Sequence, residues 1–240
     1  MTQFKAKNHG PVLAITNYAD QPLAGLADVA LVIEKGQEQS VAQTRSFASM
    51  YVAATAFAVL ASANETLLEQ MGKLPEIGRD LIAQYETSAR EVGENLQFDR
   101  FYFLGSGILY GLACEVNLKM KEITLTHSEP FHFLEFRHGP ISMVTESAAI
   151  VGLVSEKNSS FEQAVLNEMQ ALGGHILSLG EAETIVAFVS GLPEVIRAVL
   201  YLPILQLVAC YRSIAKGLNP DRPKNLTAVV VLEDEQEVPR

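Results

Sequence analysis

Twenty residues concentrate the proton-active groups of this chain. In KEITLTHSEPFHFLEFRHGP, Lys121 to Pro140, three carboxylates, three histidines and Arg137 alternate with Phe131, Phe133 and Phe136. A carboxylate and a histidine are the side chains most used to move protons near neutral pH. Glu122 closes the helix-like text CEVNLKMKE, where the helix dipole disfavours a negative charge. It reads either as a solvated surface residue or as a base that moves a proton between carbons next to a carbonyl. His138 stands before Gly139-Pro140 in a loop flanked by aromatics. It reads either as a proton-transfer group or as a loop histidine bonded to a carboxylate. His127 and His132 are five apart with Pro130 between them, so they do not share a helical face. HExxH is absent, and no metal site is expected.

A second kind of chemistry belongs to turns. Gly105-Ser106-Gly107 lies between strand-like RFYFL and helix-like ILYGLACEV. Such a turn can hold an anion on backbone N–H groups, or it can simply be a tight connection. It matches neither the dinucleotide nor the Walker pattern. SEKNSS at 155–160 also follows a strand and precedes a helix. Two such turns at neighbouring strand ends would make one crevice at the carboxyl edge of a parallel sheet.

The elements that must hold these groups alternate. Residues 11–16 and 29–33 read as buried strands, and 39–62 as a mostly apolar helix. From Leu74 an amphipathic helix runs through Ile77, Leu81, Tyr85, Ala89, Val92 and Leu96. Strands are then expected at RFYFL, 148–155, HILSLG, TIVAFVS and 226–233. Between them, a capping box from Ser159 to Glu162 starts a helix that stops at Gly173-Gly174. A long helix begins near Leu192. This alternation predicts an α/β fold with parallel sheets of doubly wound type, flanked by helices. Residues 74–240 supply a complete module. Residues 1–73 supply two strands and one helix after them, too few for a stable sheet alone. FKAKNHG reads as the basic, Gly-ended finish of a helix begun earlier. The first module therefore reads as incomplete, unless its strands join the second sheet.

The 240 residues are 48% hydrophobic and 19% charged, with a net charge of −10. No Lys/Arg cluster is present, so a nucleic-acid partner is not expected. Cys114 and Cys210 both sit in apolar helical text and read as buried small hydrophobes. The apolar run from Ala198 to Tyr211 is short for a membrane span and suits a buried or interface helix. No signal-peptide pattern opens the sequence. The expectation is a cytoplasmic protein with no membrane partner.

Three stretches together carry a family resemblance: SVAQTRSFASM, GSGILYGLACEVNLKMKEITLTHSEPFHFLEFRHGPISMV and NPDRPKNLT. In order, and over essentially the whole chain, they resemble the sugar isomerase (SIS) superfamily. The nearest resemblance is to the isomerase domain of glucosamine-6-phosphate synthase and to aminosugar-phosphate isomerase/deaminases. The resemblance implies tandem modules, each a five-stranded parallel sheet between helices, a homodimer, a sugar-phosphate ligand and no cofactor. It implies that Glu122 shuttles the proton between C1 and C2. It implies that His138 opens the sugar ring in the partner subunit's site. Val41 matches a position lining the sugar by backbone contact, with Ser40, Gln43 and Thr44 around the same helix start. Ser40 is the expected N-cap there, and Gly105 and Ser106 are further candidates for ligand contact.

Two departures stand out. The Ser/Thr-rich phosphate loops of the family's first module, GTS-like and SGET-like, have no counterpart. The lysine of synthases after PRNL is replaced by Ala228, and Lys224 lies four residues upstream. A deaminase, a simple isomerase, a non-catalytic sugar-phosphate binder and a fragment of a longer protein all fit these departures.

Overall fold

The computed structural model describes residues 1–7 and 9–227 of the chain. Ten helices and seven strands alternate among them. The helices are α1 (Thr2–Ala6), α2 (Pro22–Leu26), α3 (Arg45–Ala61), α4 (Glu65–Met71), α5 (Leu74–Glu94), α6 (Ile108–Thr124), α7 (Phe133–Phe136), α8 (Ser159–Ala171), α9 (Glu194–Arg197) and α10 (Tyr201–Ala215). The strands are β1 (Leu13–Thr16), β2 (Val29–Val32), β3 (Arg100–Gly105), β4 (His127–His132), β5 (Ala148–Leu153), β6 (His175–Gly180) and β7 (Val186–Ala187). β1 and β2 pair in parallel as one two-stranded sheet. The other five form a parallel sheet in the order β4-β3-β5-β6-β7.

Strand polarity explains how the second sheet is covered. A fully parallel sheet needs both faces buried, and β5, AAIVGL, is apolar throughout and buried at all six positions. Along β3 the side chains alternate between faces. Phe101 and Phe103 join the core under α5, α6 and α10. Tyr102 and Leu104 join Phe133, Phe136, Val165, Leu166 and Met169 of α7 and α8 on the other face. Ala42, Val59 and Met71 belong to the first of these cores, so the segment carrying β1 and β2 shares apolar contacts with the second sheet's helices.

α10 is the hub. It packs along α5 so closely that a Cβ on Gly93 would lie 2.6 Å from the Val208 carbonyl oxygen. Glu194–Ala215 is long and apolar enough to cross a membrane by length and composition. However, 56% of its apolar window is buried inside the molecule, as in a soluble protein's core helix. Arg212 fastens its C-terminal half. Nε donates to Thr126 Oγ1 at 2.7 Å, Nη1 to Asn95 O at 3.0 Å and Nη2 to Phe98 O.

Several expectations are corrected. The helix expected over 39–62 begins only at Arg45. Ser40 does not cap it; the Glu38 carboxylate does, accepting the N–H groups of Thr44, Arg45 and Ser46. Glu162 makes no capping box with Ser159. It is buried and accepts from Ser155 N at 2.6 Å and Ser155 Oγ at 2.9 Å. HSEPFH, absent from the expected strands, is strand β4. The strand expected over TIVAFVS shrinks to Val186–Ala187. The helix expected from Leu192 is broken by a 3₁₀ turn at Ala198–Leu200. Both cysteines are free and half-buried, not fully buried. The strand expected at 226–233, with Ala228, lies almost wholly outside the described residues.

Candidate active site

Helix α6 carries the chemistry because of its spacing. Leu109, Leu112, Val116, Met120 and Ile123 are buried in the core beneath it. Glu115, Lys119 and Glu122 fall at i, i+4 and i+7 on another face, where helical geometry stacks side chains above one another. Lys119 Nζ lies 2.6 Å from Glu122 Oε2 and 3.6 Å from Glu115 Oε1. The Lys119 side chain is only 4% exposed, Glu115 10% and Glu122 21%. A lysine this deeply buried needs polar partners, and the two carboxylates supply them.

The three groups are not equivalent. Desolvation pushes the Glu115 carboxyl up to about 7; Lys119 opposes the rise and the negative charge of Glu122 adds to it. Near neutral pH, Glu115 is thus poised between acid and carboxylate, while Glu122 pairs with the ammonium and reaches the surface. One group of the array can give a proton where another takes one. Sequence reading found Glu122 but missed Glu115 and Lys119. Their signal was present as the i, i+4, i+7 spacing of charges in otherwise apolar helix text.

The end of α6 is held firmly. Leu125 caps it in the left-handed conformation, φ +51. Lys216 Nζ donates to Leu125 O at 3.2 Å and to Thr126 Oγ1 at 3.3 Å, and Arg212 holds the same threonine. α10 thereby fixes the turn that follows Glu122. It also reaches the 40–44 segment. Gln206 Nε2 donates to Thr44 O at 3.4 Å, and the Val41 N–H donates to Asp221 O at 3.0 Å in the turn beyond α10. This segment follows β2 and leads into the N-terminus of α3. Tyr18 and Gln37 bond across it: the Tyr18 hydroxyl donates to Glu38 O and Gln37 Nε2 to Asn17 O. Ser40, Val41, Gln43 and Thr44 thus lie at the carboxyl edge of the first sheet, where open α/β sheets bind ligands.

Other candidates lie elsewhere. Gly105 and Ser106 precede α6 and Glu122 is near its end, about 24 Å away at 1.5 Å per residue. Gly105 is required by packing, since a Cβ there would meet Leu109 O at 2.5 Å. Gly107 supplies φ +55. The turn is thus a tight β-to-α connection. His138 is exposed just beyond α7, and its backbone N–H donates to Glu135 O at 2.9 Å. β4 runs from the Glu122 end of the sheet to the His138 end. Its six residues span about 20 Å. Within one chain, then, Glu122 and His138 occupy opposite edges of the sheet. His127 pairs with Glu129 at 3.1 Å, and His132 stacks on Tyr110 with ring centroids 3.9 Å apart. Among the described residues, no three His, Cys, Asp or Glu side chains gather to hold a metal.

The SIS domain family model matches residues 2–60 and 97–187. The chain belongs to the SIS domain family. The glutamine–fructose-6-phosphate aminotransferase (isomerizing) of Sulfurisphaera tokodaii is 31% identical over 229 residues, 92% of this chain and 38% of that protein. The same enzyme of Pyrococcus horikoshii is 32% identical over 243 residues, 95% of this chain and 40% of that protein. This SIS chain therefore spans about two fifths of the curated relatives it matches. The solved structure of a glucosamine-6-phosphate deaminase from Thermotoga maritima superposes with a TM-score of 0.77 at 27% identity, over 92% of this chain and 66% of that one. The C-terminal domain of a glucosamine-fructose-6-phosphate aminotransferase from Francisella tularensis shares the fold, with a TM-score of 0.78 over 92% and 68%. The parallel, helix-flanked SIS architecture is thus the fold of this chain.

Proposed function

We propose that this SIS chain carries the proton-transfer part of a phosphosugar isomerase or aminosugar-phosphate isomerase/deaminase site. The substrate class is a hexose or hexosamine 6-phosphate. The observation that carries the reading is the buried Glu115–Lys119–Glu122 array. Aldose–ketose interconversion needs a base that removes a proton from one carbon and returns it to its neighbour, with the sugar open and its carbonyl polarised. Glu122 takes the proton from C2 of the open aldose, giving a cis-enediol, or an enamine where C2 bears nitrogen. It then delivers that proton to C1. Lys119 orients Glu122 through their 2.6 Å contact. Val41 and its neighbours Ser40, Gln43 and Thr44 line the sugar at the start of α3. The deaminase and aminotransferase relatives support the sugar class. The reaction uses no cofactor and the setting is cytoplasmic.

Ring opening falls to His138 of a second copy. The separation of His138 from Glu122 along β4 favours this, as does the exposure of His138, whose side chain has no partner among the described residues. The protein acts as a homodimer in this reading. Mixing Glu122→Gln chains with His138→Ala chains tests it. Each variant alone is inactive toward fructose 6-phosphate or glucosamine 6-phosphate. In a mixed dimer, one of two sites pairs an intact Glu122 with an intact His138. Statistical mixing then restores about a quarter of wild-type activity. No recovery would place both residues in one chain's site, and full activity of either variant alone would remove it from the chemistry.

A second reading, binding without turnover, is favoured by the two-stranded first sheet. There, among the described residues, β1 and β2 alone present a carboxyl edge to a phosphate. Ligand at about 100 times its dissociation constant adds about 2.7 kcal/mol of stability. A raised melting temperature without turnover would select this reading.

A further inference from the structure

A cavity of about 850 Å³ opens at the carboxyl ends of β5 and β6, lined from α4, α8 and the loops after both strands. It lies at the opposite edge of the second sheet from Glu122 and takes no part in the chemistry above. Its walls mix polar side chains with apolar ones such as Val154, Leu192 and Pro193, and no aromatic ring lines it among the described residues. Arg197, 1% exposed, lines it. Nη1 donates to Leu192 O at 2.5 Å and to Glu156 Oε2 at 3.1 Å. Nε and Nη2 make no hydrogen bond, although Glu181 Oε2 lies 3.3 Å from Nε and Glu194 Oε2 3.9 Å from Nη2. Gln70 Oε1, in the same lining, is buried and also accepts nothing.

Both kinds of unsatisfied group are costly to keep dry, so the cavity is built for something that accepts from Arg197 and donates to Gln70. Hydroxyl groups do both. The charge balance adds a second requirement. Glu156, Glu181 and Glu183 line the space and Glu194 stands behind it, against the single guanidinium. Glu181 is fixed by Ser190 Oγ at 2.7 Å and the Gly191 N–H at 2.6 Å, and so cannot turn away. A further anion would be repelled, whereas an ammonium would offset part of the excess negative charge. We propose that this cavity is a second, non-catalytic site for an amine-bearing polyol, an amino sugar, with its ammonium among Glu156, Glu181 and Glu183. Its hydroxyls meet Arg197 and Gln70. The choice of a sugar among such ligands rests on the function proposed above. The need for an amine with hydroxyls does not.

Calorimetric titration of the full chain with D-glucosamine, and with D-glucose as its neutral counterpart, tests the site. Glucosamine binds, and glucose binds at least about tenfold more weakly. The rim double variant Glu156→Gln/Glu183→Gln loses at least about tenfold in glucosamine affinity while keeping the wild-type melting temperature. Glu122→Gln, at the other edge, leaves glucosamine binding unchanged. No glucosamine binding, equal affinity for glucose, or indifference to the rim variant would overturn the proposal. Loss of binding in Glu122→Gln with the rim variant unaffected would assign the amine to the α6 site, refuting this inference but not the proposed function. Binding here with no isomerase activity would do the reverse.

Discussion

Replacing Glu115 by Gln should make the protein more stable at pH 8 than the wild type, and progressively less so toward pH 5. The carboxyl is pushed from its ordinary 4.5 up to about 7, chiefly by desolvation on the buried face of α6. Between those values the folded protein holds a proton that the unfolded chain has released. Wild-type stability therefore falls as pH rises through this window; the contribution is fully present below about 4.5 and lost above about 7. At 1.36 kcal/mol per pH unit, a fully desolvated group would lose about 3.4 kcal/mol. Glu115 keeps 10% of its side-chain surface in contact with solvent, so screening trims the loss to about 2 kcal/mol. For a chain of this size that corresponds to about 4–8 °C in melting temperature. Gln is nearly isosteric with the protonated acid and does not titrate. Urea or thermal unfolding of both proteins from pH 5 to 8, with one curve subtracted from the other, removes every other ionisation. A difference that stays flat across the window would refute the desolvation argument. A difference of opposite sign would mean that the Lys119 ion pair outweighs burial.

Two further outcomes follow from packing and capping. Glu38→Gln should destabilise the protein by about 1–2 kcal/mol near neutral pH, because its carboxylate caps α3 through Thr44, Arg45 and Ser46. Burial raises its pKa, but the hydrogen bonds from Ser46 and Thr44 win and hold it low. This stability is present above the ordinary carboxylate range and is lost as pH falls through it, so the variant's deficit in urea unfolding should vanish under acid conditions. Gly93→Ala should cost about 2 kcal/mol or more, since the new methyl would meet Val208 O at 2.6 Å and Tyr211 Cβ at 2.9 Å. An unchanged unfolding midpoint would show that α5 and α10 are free to separate.

What could be read from the sequence depended on burial. The central strands β3, β5 and β6 announced themselves as apolar runs because both of their faces are covered. β4 did not. It sits at the sheet's edge, where HSEPFH can be polar and Pro130 needs no ladder partner on its open side. The helix at Arg45 was expected six residues early because SVAQT has helical composition. Its backbone is instead committed to Asp221 and Glu38, partners distant in sequence or hidden in a loop. At α6, the carboxylate at the helix end was visible by position. The ammonium that makes it useful, and the second carboxyl, became visible only when the buried face was known. The separation of Glu122 from His138 required β4, the strand the text concealed.

The bare side of β1 carries one last implication. Among the described residues, Leu13–Thr16 pairs with β2 on one edge only, and the neighbouring surface exposes Val29, Leu31, Phe57 and Leu60. An unpaired row of amides and carbonyls recognises any extended backbone, whatever its side chains. Such contacts close as a two-fold pair when the same edge meets itself antiparallel, but need not close when different edges meet. The same edge that would accept a well-formed neighbouring strand would also template open-ended polymers. Four residues of main chain thus enter the solubility of this protein alongside its net charge.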